Sequence, residues 1–233
     1  MKLPRALLPL YLTTLLDVLG FTLMIPLLPA FVKHYGAANI VVGALLSLPA
    51  VFSMISAPLW GATSDRAGRK AIILISQAFS LAGYLLLALA NSLWLIFASR
   101  VIIGFGAGNM GVAQSYVADV TNPQQRERAY ALFGALYGAG FLIGPILGAQ
   151  LLHFGLSAPF YFAAAVELVA IGLTWVFLNA GREKVPHSEV RLGEALRNAG
   201  LPGVMRTYAR QFLFIFSVTY FLGSFALYLD HAL

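Results

Sequence analysis

An all-α, membrane-spanning fold is what this sequence predicts, and three observations carry the prediction. The chain is 60% hydrophobic and only 10% charged, against the roughly 25% charged residues of a soluble domain. Its uncharged runs, 31 residues over 34–64 and 29 residues over 71–99, each exceed the ~20 residues that cross a bilayer core as helix. Finally, lysine and arginine fall mostly in short stretches between apolar runs. A net charge of +6 distributed in this way reads as a set of topology signals rather than a phosphate-binding face, so nucleic acid is not an expected partner.

Taken in order, the apolar segments fall at about 7–29, 41–60, 71–91, 93–117, 129–152, 158–178 and 211–229. The first is too long for a signal-peptide core and lacks a cleavage site, so it is expected to remain in the mature protein. This makes a six-helix bundle plus a seventh span. The corresponding domains are a transmembrane unit over 1–180, a polar linker over 181–210, and the start of a second transmembrane unit over 211–233. Within the linker, Ser188 is placed to cap a short helix carrying Val190, Leu192 and Leu196 on the inner membrane surface; a solvated linker is the alternative.

Between spans two and three, "GATSDRAGRK" (61–70) packs Asp65, Arg66, Arg69 and Lys70 into a loop, with Gly61 and Gly68 set to let it turn tightly. With the N-terminus cytoplasmic, thirteen of the fifteen basic residues lie in inner loops or at inner ends; Lys33 alone is outside, and Arg100 lies within a span. The same orientation argues against a seven-helix receptor, whose N-terminus faces outward. Zero cysteines exclude disulfides, thiol catalysis and cysteine metal sites. No phosphate-binding loop or nucleophile elbow is present, and the four histidines are dispersed, so neither an enzyme nor a metal site is expected.

Ionisable groups inside spans are expensive and are therefore functional candidates. There are three: Asp17, Arg100 and Glu167. Asp17 shares a helical face with Thr13, Thr14 and Gly20, making a polar stripe whose carboxylate is a candidate proton carrier. Arg100 shares its face with Gly104, Gly108, Gly111 and Gln114, so it points into a closely packed bundle where a carboxylate or an anionic substrate can meet it. Glu167, among alanines, is either a second proton site or the partner of Arg100. "GALYGAGFLIGPILGAQL" (134–151) spaces Gly134/Gly138, Gly140/Gly144 and Gly144/Gly148 four apart for tight packing, with Pro145 expected to kink the helix.

These stretches resemble the major facilitator superfamily, and within it the drug/proton antiporters of the tetracycline-efflux branch. The loop Gly61, Asp65, Arg66, Gly68, Arg69, Lys70 is similar to the signature between spans two and three; "LDVLGFTLMIPLLP" (16–29), "RVIIGFGAG" (100–108), "YVADVT" (116–121) and "GPILGAQL" (144–151) resemble the first, fourth and fifth spans. Thr63, Ser64, Ile103 and Ala149 depart mildly from those patterns, and Glu167 matches no general motif. The resemblance implies the first half of a twelve-helix transporter, itself a 3+3 inverted repeat, with a missing C-terminal half, in a plasma membrane, the bacterial inner membrane. It further implies efflux of small, mostly apolar drug-like molecules by alternating access. Protons are the coupled partner, and the proton gradient is the energy source in place of a cofactor. Asp17, Arg100, Gln114 and Glu167 would line or support the cavity. Gly61, Asp65, Arg66, Gly68, Arg69 and Lys70 with Asp119 would form a cytoplasmic gate, Asp119 pairing with Arg69. Gly140, Gly144, Pro145 and Gly148 would shape the rocking helix. Uptake symport of a sugar or metabolite, or a non-transporting membrane scaffold, are the competing readings.

Overall fold

The computed structural model describes Pro4, residues 7–36 and 38–178, and the isolated positions Arg206, Arg210 and Leu213. The chain divides into two compact units, residues 1–184 and 185–233, and the following concerns the first. The expected linker helix at Ser188 and the seventh span at 211–229 lie outside the described residues.

Among the described residues, six helical stretches are long and apolar enough to cross a membrane, and the bundle is a multi-pass membrane domain. Two of the stretches are interrupted where unbroken spans are expected. The first comprises α1 (Leu7–Met24) and α2 (Leu27–His34), separated by a turn at Ile25 and Pro26. Pro26 cannot donate to the helical ladder and clashes with the turn before it, whereas Pro29 sits in the first turn of α2, where no donor is needed. The fourth splits into α5 (Leu93–Ala107) and α6 (Met110–Val120) at Gly108 and Asn109.

The ten-residue loop at 61–70 is not a loop. Helix α3 (Asn39–Ala67) runs through Gly61 and Asp65, and α4 (Arg69–Ala88) begins one residue after Gly68. Only Gly68 leaves helical geometry, at φ 93°, a conformation that favours glycine. Gly61 is an ordinary helical position with open space around it, so the turning role expected of both glycines belongs to Gly68 alone.

Helix α7 (Pro123–Leu151) starts six residues before the apolar run it contains. Asn122 accepts from the Gln125 backbone, Gln125 returns the bond, and Pro123 occupies the first turn, a capping box that nucleates helix through charged residues. The helix runs without a break through Pro145. A 3₁₀ turn at Leu152–Phe154 leads to α8 (Ala158–Phe177).

Packing follows a simple scheme: α1 lies against α7 and α8, α4 against α5 and α8, and α3 against α5. Two apolar clusters occupy the two ends of the bundle. One gathers Leu23, Leu28, Phe31, Leu87, Ile96 and Phe160; the other gathers Leu7, Leu10, Ile72, Tyr116, Val117 and Phe133. Along α1, α4 and α8 the stretch between the clusters carries Asp17, Gln77 and Glu167. The outer surface is apolar in turn, with Ile40, Met54, Trp94, Leu142 and Val169 exposed as a lipid-facing bundle requires.

Candidate functional site

The polar stretch between the two clusters borders a partly open cavity of about 210 Å³. Asp17, Thr13, Thr14, Ser80 and Asn109 supply its polar wall, and Phe21, Tyr84, Met110, Phe133 and Tyr137 its aromatic and apolar wall. Gln77 Nε2 donates to Asp17 Oδ1 at 3.1 Å, joining α4 to α1. One turn away on α1, Gly20 lies against the ring of Tyr84, which a Cβ there would approach to 3.3 Å. Tyr84 and Tyr137 thus face Asp17's cavity from α4 and α7.

The other expected cavity residues stand behind this wall. Glu167 is 1% exposed, and neither carboxyl oxygen has a hydrogen-bond partner. Arg100 is 3% exposed; its Nη2 lies 3.0 Å from Met24 Sδ, and its Nε has no partner. The pairing considered for Arg100 and Glu167 does not form: neither Glu167 oxygen has a hydrogen-bond partner, and Arg100 reaches Met24 instead. The reason lies in the packing. Arg100 on α5 is directed toward the far end of α1 at Met24, while Glu167 on α8 shares its buried face with Ala163, Ala164 and Ala170. Gln114 is half-buried; its backbone carbonyl accepts from Tyr130 Oη at 3.2 Å, and it is not part of the cavity wall.

At the bundle end where α3 meets α4, Arg69 joins three helices. Its Nη1 is 2.6 Å from Asp65 Oδ1 on α3 and also donates to Ser64 Oγ; its Nε donates to Asp119 Oδ2 on α6 at 3.2 Å. Each of these charges opposes the dipole of its own helix. Asp65 and Asp119 lie in C-terminal last turns and Arg69 opens α4, positions that favour the opposite sign. Local helix stability therefore does not account for them, and the inter-helix pairing does. Lys70 Nζ donates to the Trp175 carbonyl at 2.7 Å and lies 6.0 Å from its ring, attaching α4 to the end of α8. Arg66 is exposed.

The glycines of α7 divide into two classes. Gly140, Gly144 and Gly148 are buried against α1, where a Cβ would collide with Val18, Thr22 and the Leu23 backbone respectively. The Thr22 hydroxyl lies 2.8 Å from the carbonyls of both Val18 and Gly140, sharing its one proton between them. Gly134 and Gly138, equally spaced, meet nothing, so the close packing expected of that pair is absent.

Sequence reasoning directed at charges alone overlooks Gln77 and Tyr84. Both were detectable: Ile73, Gln77, Ser80 and Tyr84 recur at helical spacing along one face of α4, and a glutamine there is costly in lipid. Ser64, overlooked as a hydroxyl in a charged stretch, completes the Arg69 junction.

A family model described as Major Facilitator Superfamily matches residues 10–232. The chain is 31% identical over 214 residues to the tetracycline resistance protein, class H, of Pasteurella multocida, covering 91% of this chain and 53% of that protein. It is 33% identical over 161 residues to multidrug resistance protein 2 of Bacillus subtilis, covering 69% and 40%. Among solved structures it is similar to the human organic anion transporter MFSD10 (TETRAN), with a TM-score of 0.68 and 29% identity over 76% of this chain and 48% of that one. The chain thus spans about half the length of the relatives it matches.

Proposed function

The chain belongs to the major facilitator superfamily, a family of transporters rather than enzymes, and on that premise we propose that its parent protein is a proton-coupled drug-efflux antiporter. The observation that carries this reading is the cavity: one carboxylate, Asp17, held by Gln77 on a wall otherwise aromatic, apolar or neutral-polar. A site of this kind takes small, mostly apolar molecules by area and shape, with few orienting polar groups. The names of the tetracycline and multidrug resistance relatives support the same substrate class.

Coupling requires only that proton and drug bias one inward/outward equilibrium through different affinities for its two states. Asp17 is the group where they meet, since it faces the cavity and is the acid of its wall. The Arg69 junction, with Asp65 and Asp119, acts as a cytoplasmic gate that holds the inner side closed, and Gly140, Gly144 and Gly148 form the contact along which α7 moves on α1. The N-terminus is cytoplasmic in this scheme, consistent with the distribution of basic residues.

The full-length protein in liposomes under an imposed pH gradient tests the reading, with tetracycline and a set of lipophilic drugs as probes. Gradient-driven drug movement is expected in the wild type. Asp17→Asn should abolish its pH dependence, and an unaltered pH profile in that variant removes Asp17 from the coupling step.

A further inference from the structure

We infer that Trp60 is a positioning residue for the drug cavity: its indole N–H holds the interruption of the fourth span and so sets the part of the wall which that span supplies. The inference rests on the efflux reading above for the nature of the ligand, though not for the placement of the wall.

Trp60 lies on α3, half-buried, and does not itself line the cavity. Its Nε1 donates to the Phe105 carbonyl at 2.7 Å, across the contact between α3 and α5. A donor inside a membrane bundle takes whatever acceptor it can reach, so the identity of this acceptor is the informative part. Helix α5 ends at Ala107, and Phe105 lies in its last turn, where carbonyls lose their helical partner. In a continuous span that carbonyl would accept from the Asn109 N–H. Trp60 satisfies it from a neighbouring helix instead. Ser56, one turn earlier on α3, reaches the Gly104 carbonyl at a longer 3.4 Å.

Little separates the interruption from an unbroken helix. Gly108 (φ −69°, ψ −1°) and Asn109 (φ −78°, ψ −10°) both remain in the right-handed helical region, so a modest change in ψ restores the ladder. The surroundings of the tie are fixed. A Cβ at Gly104 would collide with Phe52 and the Pro49 backbone, and one at Gly108 with Ser56 and the Ala57 backbone, so this end of α5 lies against α3 at backbone distance. Phe79 of α4 neighbours the rings of both Trp60 and Phe105, at centroid distances of 5.9 and 6.2 Å, and holds the indole in place. Gly106, Ala107, Asn109 and Met110 all line the cavity. Wall residues therefore flank the interruption on both sides, and the geometry of the turn decides how Asn109 and Met110 meet a ligand. The chain continues as α6 to Asp119, which pairs with Arg69, so a shift at the turn is carried along a short helix to that junction.

The test uses the full-length protein, cleared of any other cysteine and carrying either Ala107→Cys, on the fourth span's part of the wall, or Phe21→Cys, on the α1 part. Trp60 is replaced by benzothienylalanine, which keeps the ring size and exchanges the N–H for sulfur, or by azatryptophan, which keeps the N–H. Where the first of these does not fold, Trp60→Phe serves. Loss of the N–H should change the maleimide-labelling rate at Ala107→Cys several-fold and leave that at Phe21→Cys unaltered, and azatryptophan should retain the wild-type rate at both. The Kd for tetracycline should rise about two- to tenfold, the range that one hydrogen bond spans. Unaltered labelling at Ala107→Cys or unaltered tetracycline affinity overturns the inference, and so does an equal change at Phe21→Cys, which would make Trp60 structural only. If the protein with native Trp60 binds no tetracycline, the substrate class is what fails, and the labelling contrast still decides the positioning role.

Discussion

Gln77 Nε2 donates to Asp17 Oδ1 at 3.1 Å, midway between the two apolar clusters of the bundle. This contact joins α4 to α1 at the wall of the cavity and leaves Gln77 Oε1 buried without a partner. The glutamine's donor is used inside the bundle, and its carbonyl bears the cost.

Gln77→Leu removes the donor and the orphaned carbonyl together. The loss of one hydrogen bond to a charged or neutral carboxyl is on the order of 0.5–3 kcal/mol, partly offset by relief of the unsatisfied oxygen. Stability measured by thermal unfolding should therefore change little. The pH profile of drug efflux should move, because the Asp17 carboxyl has lost the donor that discriminates between its two charge states. A large fall in stability with an unmoved profile would make Gln77 structural only.

The Arg69 junction makes a prediction about conformation. Arg69 is 12% exposed and its partners Asp65 and Asp119 are 44% and 31% exposed, so each pair contributes at the scale of partly exposed ion pairs, about 0.2–1 kcal/mol. Such energies shift a conformational balance without unfolding the bundle. The chain has no cysteine, so a single one placed at exposed Ala62, in a full-length protein cleared of any other cysteine, reports access to this end. Asp65→Asn and Asp119→Asn should each raise its labelling rate several-fold in the full-length protein, and the double variant should exceed either. Unchanged labelling would sink the gate.

Glycines of equal spacing should respond oppositely. Gly144→Ala drives a Cβ into Thr22 and the Leu23 backbone and should cost about 1–3 kcal/mol of stability. Gly138→Ala meets open space and should stabilise α7 by roughly 0.5–1 kcal/mol through reduced backbone entropy. Gly68→Ala and Gly61→Ala form a second contrast, since Gly68 alone holds a positive φ; the former should cost on the order of 1–3 kcal/mol. Thermal unfolding in detergent distinguishes all four. Equal effects at Gly144 and Gly138 would refute the assigned packing.

Much about this protein follows from the order of its residues alone. Long uncharged runs fix the membrane class because a bilayer core offers no partner to charge or to free backbone groups, and both are local properties of sequence. The pairing of Arg69 with Asp119 was likewise accessible through a motif, since α4 and α6 bring their ends together wherever those helices pack in this order. Tertiary structure decided what depends on rotation and depth. Whether Asp65 sits in a loop or in the last turn of α3 turned on a single glycine taking φ 93°. Whether Gly138 packs or faces outward turned on which side of α7 meets α1. The sequence places the ionisable Asp17, Arg100 and Glu167 within spans, yet it cannot say which of them meet. Only the packed helices turned Arg100 toward Met24, set Tyr84 against Gly20, and left Glu167 buried without a hydrogen-bond partner, because side-chain direction around a helix axis is fixed by its neighbours and not by its own sequence.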